Sequence, residues 1–318
     1  MSAKILIVST NAIGDTYLSA AAIAPLRKHF GDKCEIHLLA LADTENATML
    51  ADALDVDVVW RLSSKSLTKI FECYLKLIRI QFDHVFSFFP GRVNTFFLML
   101  IRSRVRTGFP NIAKVTEWYN LQQKVYCSFK NKGNFVWRDG MAYLERVGLC
   151  FTAGGIHFAD LSKPILRLPA NGPPPLLPFT IVHFTSRRKD RALNPNAQSA
   201  VLSYLCSHAD DLIVVLGWKG ETELLKERFR SNTRVTFLED ALLPALVHYI
   251  VSARLFIAVD SFPLHVADAY GTNYIGIFGP THPEAFQSCL KSLVFHCNDL
   301  SSIDGQNIIN GLVPLLAK

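Results

Sequence analysis

Residues 256–283 read F-I-A-V-D-S-F-P-L-H-V-A-D-A-Y-G-T-N-Y-I-G-I-F-G-P-T-H-P, and the polar side chains fall at the breaks between apolar segments. The run Leu255 to Val259 predicts a strand that ends on Asp260. A helical stretch follows through His265, Ala267 and Ala269, Gly271 and Asn273 make a turn, and Tyr274 to Phe278 is a second strand that stops at Gly279-Pro280. Strand, helix, strand gathers Asp260, Ser261, His265 and a Gly-Pro-Thr loop at the carboxyl edge of a parallel sheet, where open α/β folds bind ligands. A helix N-terminus there suits an anion.

Three further segments carry candidate chemistry. Near the N-terminus, K-I-L-I-V-S-T-N-A-I-G-D-T-Y-L places Gly14 and Asp15 at the end of a strand–loop unit, where a helix begins. Asp15 is either an N-cap, worth about 1 kcal/mol, or a carboxylate facing a cleft as general base. The segment V-H-F-T-S-R-R-K-D-R-A-L-N-P offers Thr185 and Ser186, then a basic run from Arg187 to Arg191. Such runs are commonly solvated, whereas a fixed cation would stabilise developing negative charge. After the strand Leu212–Leu216, G-W-K-G-E-T-E presents Glu221 and Glu223. Either is also explained as a first-turn helix acid, and Trp218 either stacks on a base or covers the sheet edge.

Other signals carry less. Asp55-Val56-Asp57 has the D-x-D form but lies at the entry to a strand and reads as surface charge. No P-loop and no G-x-G-x-x-G occurs, which argues against an ATPase or a Rossmann dehydrogenase. His183 and His265 lack an H-x-x-x-H companion, against a zinc site. The patch from Phe86 to Arg106 mixes core aromatics with Arg92, Arg102, Arg104 and Arg106, arginines suited to the acceptor side of a cleft.

The elements that must position these residues alternate. Ile5–Ser9, Glu35–Ala40, Val56–Trp60 and His84–Phe88 read as strands, with helices over 16–30 and 66–80. The stretch 163–178 is Pro-rich and can be neither helix interior nor central strand, so it predicts a linker. Beyond it, strands at Phe179–Phe184, Leu212–Leu216 and Arg234–Leu238 alternate with helices over 196–207, 221–229 and 243–252. The expectation is two doubly wound Rossmann-like domains facing a cleft, 1–162 and 179–318.

Composition fits that picture. The chain has 318 residues, half of them hydrophobic, enough for two cores. A net charge of +6 suits an anionic ligand or membrane surface without requiring either. There is no apolar run long enough to span a bilayer, and Ile5–Val8 is too short for a signal-peptide core. Seven scattered cysteines without C-x-x-C read as reduced thiols. The expected location is cytosolic, with peripheral contact on a membrane compatible.

The segments at 4–30 and 180–283 resemble glycosyltransferase family 9, the lipopolysaccharide heptosyltransferase family. Its pattern runs from an apolar strand through D-T-G-x-x-H-x-A-x-A to a second strand ending in F-G-P-T-x-P. Asp260, His265, Ala267, Ala269, Phe278-Gly279-Pro280-Thr281 and Pro283 fit it; Ser261 replaces the threonine, and Phe262 replaces the glycine. Gly14-Asp15 and Arg27-Lys28 sit where the family has G-D and a basic pair. The resemblance implies a GT-B fold and an inverting, metal-independent glycosyltransferase needing no cofactor beyond its nucleotide-sugar co-substrate. It implies ADP-heptose as donor and a lipopolysaccharide core or related glycan as acceptor, on the cytoplasmic face of the inner membrane. Asp15 would be the base, with Gly14 and Arg92 on the acceptor side. Thr185, Ser186, Arg191 or Lys189, Glu221 (with Glu223 as alternative), Asp260, Ser261 and His265 would hold the donor. Phe262 leaves open a non-catalytic nucleotide-sugar-binding or scaffold protein, and an epimerase of similar architecture is a third reading.

Overall fold

The computed structural model describes residues 2–109, 142–158, 161, 166, 178–283 and 293–316. The chain divides into two compact units, Met1–Arg167 and Leu168–Lys318. That boundary falls within the Pro-rich stretch 163–178, of which 166 and 178 alone are described.

The first unit is a five-stranded parallel sheet in the order β3-β2-β1-β4-β5. Its strands are β1 (Lys4–Ser9), β2 (Glu35–Leu41), β3 (Val58–Leu62), β4 (Phe82–Ser87) and β5 (Ser103–Gly108). The described helices are α1 (Ile13–Leu18), α2 (Ala20–Phe30), α3 (Thr44–Leu54), α4 (Leu67–Leu77), α5 (Arg92–Leu100) and α6 (Tyr143–Gly154). Ile5, Leu6, Ile7, Ile36, Leu38 and Leu39 have no exposed surface. Such unbroken apolar runs are what a strand covered on both faces requires.

Several expected edges shift here, among them the strand expected at His84–Phe88, which is Phe82–Ser87, and the helix expected over 66–80, which ends at Leu77. The helix expected over 16–30 begins earlier and pauses at Ser19, whose N–H serves the carbonyls of Thr16 and Tyr17 before α2 restarts the ladder. The strand expected at Val56–Trp60 starts two residues later. Asp55 adopts a left-handed conformation (φ 54°), and the Asp57 carboxylate accepts the Ile36 N–H at 2.6 Å. Ladder pairing therefore opens at His37↔Val58.

The second unit is a six-stranded parallel sheet in the order β11-β10-β9-β6-β7-β8. These are β6 (Phe179–His183), β7 (Leu212–Gly217), β8 (Val235–Glu239), β9 (Leu255–Val259), β10 (Tyr274–Phe278) and β11 (Leu293–His296). Between and after them lie α7 (Pro195–His208), α8 (Glu223–Phe229), α9 (Leu243–Ser252), α10 (Phe262–Tyr270) and α11 (Gly305–Leu316). Asn194 caps α7 by accepting the Ala197 N–H at 2.9 Å, with Pro195 at its start. Gly271 (φ 70°) closes α10 in the left-handed region, so it makes the turn into β10 that an L side chain resists. The core packs Val182, Leu202, Ile213, Ile257, Ile277 and Leu312 between sheet and helices.

Each sheet reverses direction of winding once. In the first unit the reversal lies between β1 and β4; in the second it lies between β6 and β9. The loops leaving those strand pairs must diverge, and the crevice this opens is where doubly wound sheets bind ligands.

Candidate active site

In the second unit the reversal point gathers three loops. Asp260 ends β9 and is 1% exposed. The Arg191 guanidinium reaches it from the loop after β6, Nη1 to Oδ2 at 2.8 Å. His265, one turn into α10, stands 3.8 Å from the other carboxylate oxygen through Nε2. Neither Asp260 oxygen accepts a hydrogen bond of normal geometry, so the carboxylate is held by charge rather than by directed donors. A buried carboxylate so placed fixes the cation beside it.

The basic run resolves into distinct fates. Lys189–Arg191 is one 3-10 turn, whose residues point about 120° apart. Arg188 pairs with Asp190 at the surface through Nε at 3.0 Å, and Lys189 is exposed. Arg191 alone turns inward to Asp260. The close seat of the Gly-Pro-Thr loop matters here: a Cβ on Gly279 would lie 2.8 Å from the Asp190 carbonyl oxygen. Only glycine lets the loop after β10 come against that turn.

The hydroxyl groups are already engaged. Thr185 donates to the Glu221 carboxylate at 2.7 Å, which also accepts the Trp218 N–H at 3.3 Å. Ser186 donates to the Asp260 carbonyl at 3.5 Å, tying the β6 and β9 loops together. Ser261 donates back to the Val259 carbonyl at 2.9 Å. Glu221 precedes the N-cap Thr222 of α8, so the reading of it as a first-turn helix acid is corrected. Glu223 has that role and lies 3.5 Å from Lys226. Trp218 is 57% exposed at the end of β7, a flat apolar face beside Glu221.

Phe262 is half-buried and begins α10. Pro263 does not hold Phe262 extended: Ser261 is the extended residue (φ −154°, ψ 168°). Proline fits the first helical turn, where its missing N–H is an orphan anyway. His183 ends β6 with Nδ1 2.9 Å from the Leu216 carbonyl. Burial pushes its basicity down, and the carbonyl works against that.

In the first unit Asp15 lies in the first turn of α1, half-buried, with Gly14 buried beside it. The N-cap is Ala12, so Asp15 is not the cap. The loops after β1 and β4 are laced together. Asn94 accepts from the Thr10 N–H at 2.8 Å and hydroxyl at 2.6 Å, and its amide donates to the Phe89 carbonyl at 3.1 Å. A Cβ on Gly91 would collide with the Asn11 side chain. Arg92 opens α5 at this edge, exposed. Arg104 and Arg106 are not at it: Arg104 pairs with Asp83 at 3.2 Å near the amino ends of β4 and β5, and Arg106 donates to the Ile101 carbonyl at 2.7 Å. Their reading as acceptor-side residues is corrected, because they lie at the opposite edge of the sheet. Arg102, which precedes β5, shares that edge.

Sequence reasoning missed Arg146. It is fully buried in α6, 4.4 Å from the Phe89 ring and 5.1 Å from that of Tyr143. Burial lowers its basicity to about 10, opposed by Tyr143 and then by the Asp15 charge. It therefore stays a cation at neutral pH, close enough to the Asp15 charge to feel it. No spacing signal marks an arginine that a distant loop will bury.

Asp55 and Asp57 are tied to Arg27. The guanidinium donates to the Asp55 carbonyl at 2.9 Å and the Asp57 carboxylate at 3.1 Å, so the D-x-D and one residue of the basic pair hold α2 to the sheet. Among the described residues no three His, Cys, Asp or Glu side chains cluster to hold a metal ion.

Two parallel, doubly wound units with polar loops at both winding reversals define the GT-B class of glycosyltransferase folds. The glycosyl transferase family 9 structure from Veillonella parvula is similar over 100% of this chain and 99% of its own, at 14% identity and TM-score 0.75. E. coli heptosyltransferase WaaC with ADP aligns over 96% of this chain and 98% of its own, at 16% identity and TM-score 0.70. E. coli ADP-heptose lps heptosyltransferase II aligns over 99% and 98%, at 15% identity and TM-score 0.69. Likeness at such identities is one of fold. The sequence adds a match over part of the chain: residues 180–307, within the second unit, match the glycosyltransferase family 9 (heptosyltransferase) model. No curated protein sequence matches it.

Proposed function

We propose that the protein is an inverting, metal-independent glycosyltransferase that moves a sugar, heptose from ADP-heptose, to a lipopolysaccharide core or related bacterial glycan. The observation that carries the proposal is the Arg191–Asp260 pair at the winding reversal of the family-matched unit. In it a cation is preorganised where a leaving diphosphate gathers charge. The homologous heptosyltransferase WaaC was solved with ADP-2-deoxy-2-fluoro heptose, which favours the same donor class here.

In this mechanism Asp15 removes the acceptor hydroxyl proton as the oxygen attacks the anomeric carbon, and the bond to the nucleoside diphosphate breaks on the opposite face. Arg191 meets the phosphate charge that grows as the bond breaks. Glu221, steadied by Thr185 and the Trp218 N–H, accepts from the ribose hydroxyls, and Trp218 offers its ring to the base. His265 and the start of α10 add partial positive charge. Commitment of Asp55 and Asp57 to Arg27 supports a mechanism that does not use them to hold a metal. A glycolipid acceptor would place the enzyme against the cytoplasmic face of the inner membrane. No helix among the described residues is long and apolar enough to cross it.

The test is donor selectivity followed by transfer. ADP-heptose should raise the melting temperature more than GDP-, UDP- or CDP-sugars, and should yield ADP and a glycosylated core acceptor. Binding without transfer to any acceptor tried would favour the second reading, a nucleotide-sugar-binding protein that keeps the fold, for which Phe262 at the family's glycine position is the specific observation. ADP-sugar consumed to an isomer without acceptor would mark an epimerase.

A further inference from the structure

We propose that the outward face of α4 docks the protein onto an anionic lipid surface. The eleven-residue helix turns Ile70, Cys73 and Leu77 into the unit. Leu67, Phe71 and Leu75 face solvent at 85, 55 and 45% exposure. Spaced four apart, they lie within an arc of about 80° that adjoins the buried one. The apolar arc is thus wider than the sheet beneath it can cover, which is the pattern of a helix that lies in a membrane interface.

Charge selects the occupant. Residues 61–80 carry Arg61, Lys65, Lys69, Lys76 and Arg79, all exposed, against the single acid Glu72. Glu72 is itself paired with Lys69 at 2.8 Å. Anionic headgroups complement that excess, whereas a second copy of the same face would bring like charge against like. The three apolar side chains are also a small patch by the standard of stable protein interfaces.

The place in the fold gives the face a use. The segment leads out of β3 at the carboxyl edge of the first sheet, and Lys65 Nζ donates to the Asn11 carbonyl at 3.1 Å, in the loop that leads to Asp15. A surface bound by α4 therefore lies beside the edge that carries the proposed base. The use, though not the binding, rests on the glycolipid-acceptor reading above.

Co-sedimentation of the full chain with vesicles tests this, comparing equal parts phosphatidylglycerol and phosphatidylcholine with phosphatidylcholine alone. The protein should partition onto the anionic vesicles, with binding about tenfold weaker on neutral ones or in high salt. Phe71→Glu should weaken binding about tenfold or more. The double variant Lys76→Glu, Arg79→Glu should weaken it and flatten the salt dependence. These positions are exposed, so circular dichroism and ADP binding should match the wild type. Failure of the wild type to bind anionic vesicles overturns the proposal, as does a Phe71→Glu variant that binds like wild type. A dimer in light scattering that Phe71→Glu converts to monomer assigns the face to a second copy and overturns it equally. Vesicle binding that persists while no sugar is transferred to any acceptor defeats the transferase reading alone.

Discussion

At the scale of single residues, the site is decided by which charged groups find partners. Arg191 and Lys189 are two residues apart in a basic run, yet one meets a carboxylate that is 1% exposed and the other faces water. Arg191→Ala should weaken ADP binding about 10- to 100-fold and slow turnover with it. It should also lower stability by up to about 3 kcal/mol, because it strands the Asp260 carboxylate. Lys189→Ala should do neither, and calorimetric titration with ADP together with thermal melts separates the two variants. A larger binding loss for Lys189→Ala would place the diphosphate elsewhere. Asp15→Asn should leave ADP affinity and melting temperature unchanged and cut turnover about 10²- to 10⁴-fold. A small loss of rate would mean that the base is another group. The place of Asp15 at a strand–helix junction was legible from G-D; the Arg146 charge near it was not, because α6 lies far along the chain.

At the scale of elements, two buried histidines set how the strands respond to acid. His37 on β2 is 2% exposed; its Nδ1 accepts the Trp60 indole N–H at 2.8 Å, and its Nε2 stands 2.8 Å from Glu35. Burial lowers its basicity, with Glu35 opposing, and a second ring proton would point at the Trp60 N–H. The unfolded chain therefore takes up protons that the folded chain refuses. Stability should be complete above the ordinary histidine value of about 6.5, then fall as pH drops toward the depressed folded value. His183 adds to the same slope. Melts across that range should show the decline, and His37→Gln should flatten it; a pH-independent melt would contradict the burial argument. Loop contacts between elements are equally specific. Gly279→Ala should cost both stability and ADP affinity, since its Cβ would press on the Asp190 carbonyl and displace the turn that carries Arg191. Unchanged ADP affinity would show that turn and loop act independently.

At the scale of the whole molecule, the proposed mechanism gives each unit its own ligand. ADP at about a hundred times its dissociation constant should add about 2.7 kcal/mol. Hydrogen-exchange protection should rise in the loops after β6, β9 and β10, with little change in the first sheet. Protection spread evenly over both sheets would speak against a donor site confined to residues 178–283. Magnesium or a chelator should leave turnover unchanged, and a strict metal requirement would refute the proposed mechanism. Apolar runs, helical periodicity and the Pro-rich break are local properties, and they alone determined two parallel α/β units. The segments at 4–30 and 180–283 likewise determined the family resemblance. Edges of elements and fates of charges are not local. Only the folded chain decided that Asp55 and Asp57 clamp Arg27, that Arg104 and Arg106 lie at the wrong edge of their sheet, and that Glu221 precedes its helix. It also decided that one cation of a basic run turns inward. The reason is physical: an ion pair depends on distance and on exclusion of water, and both are set by which strands and loops the fold brings side by side.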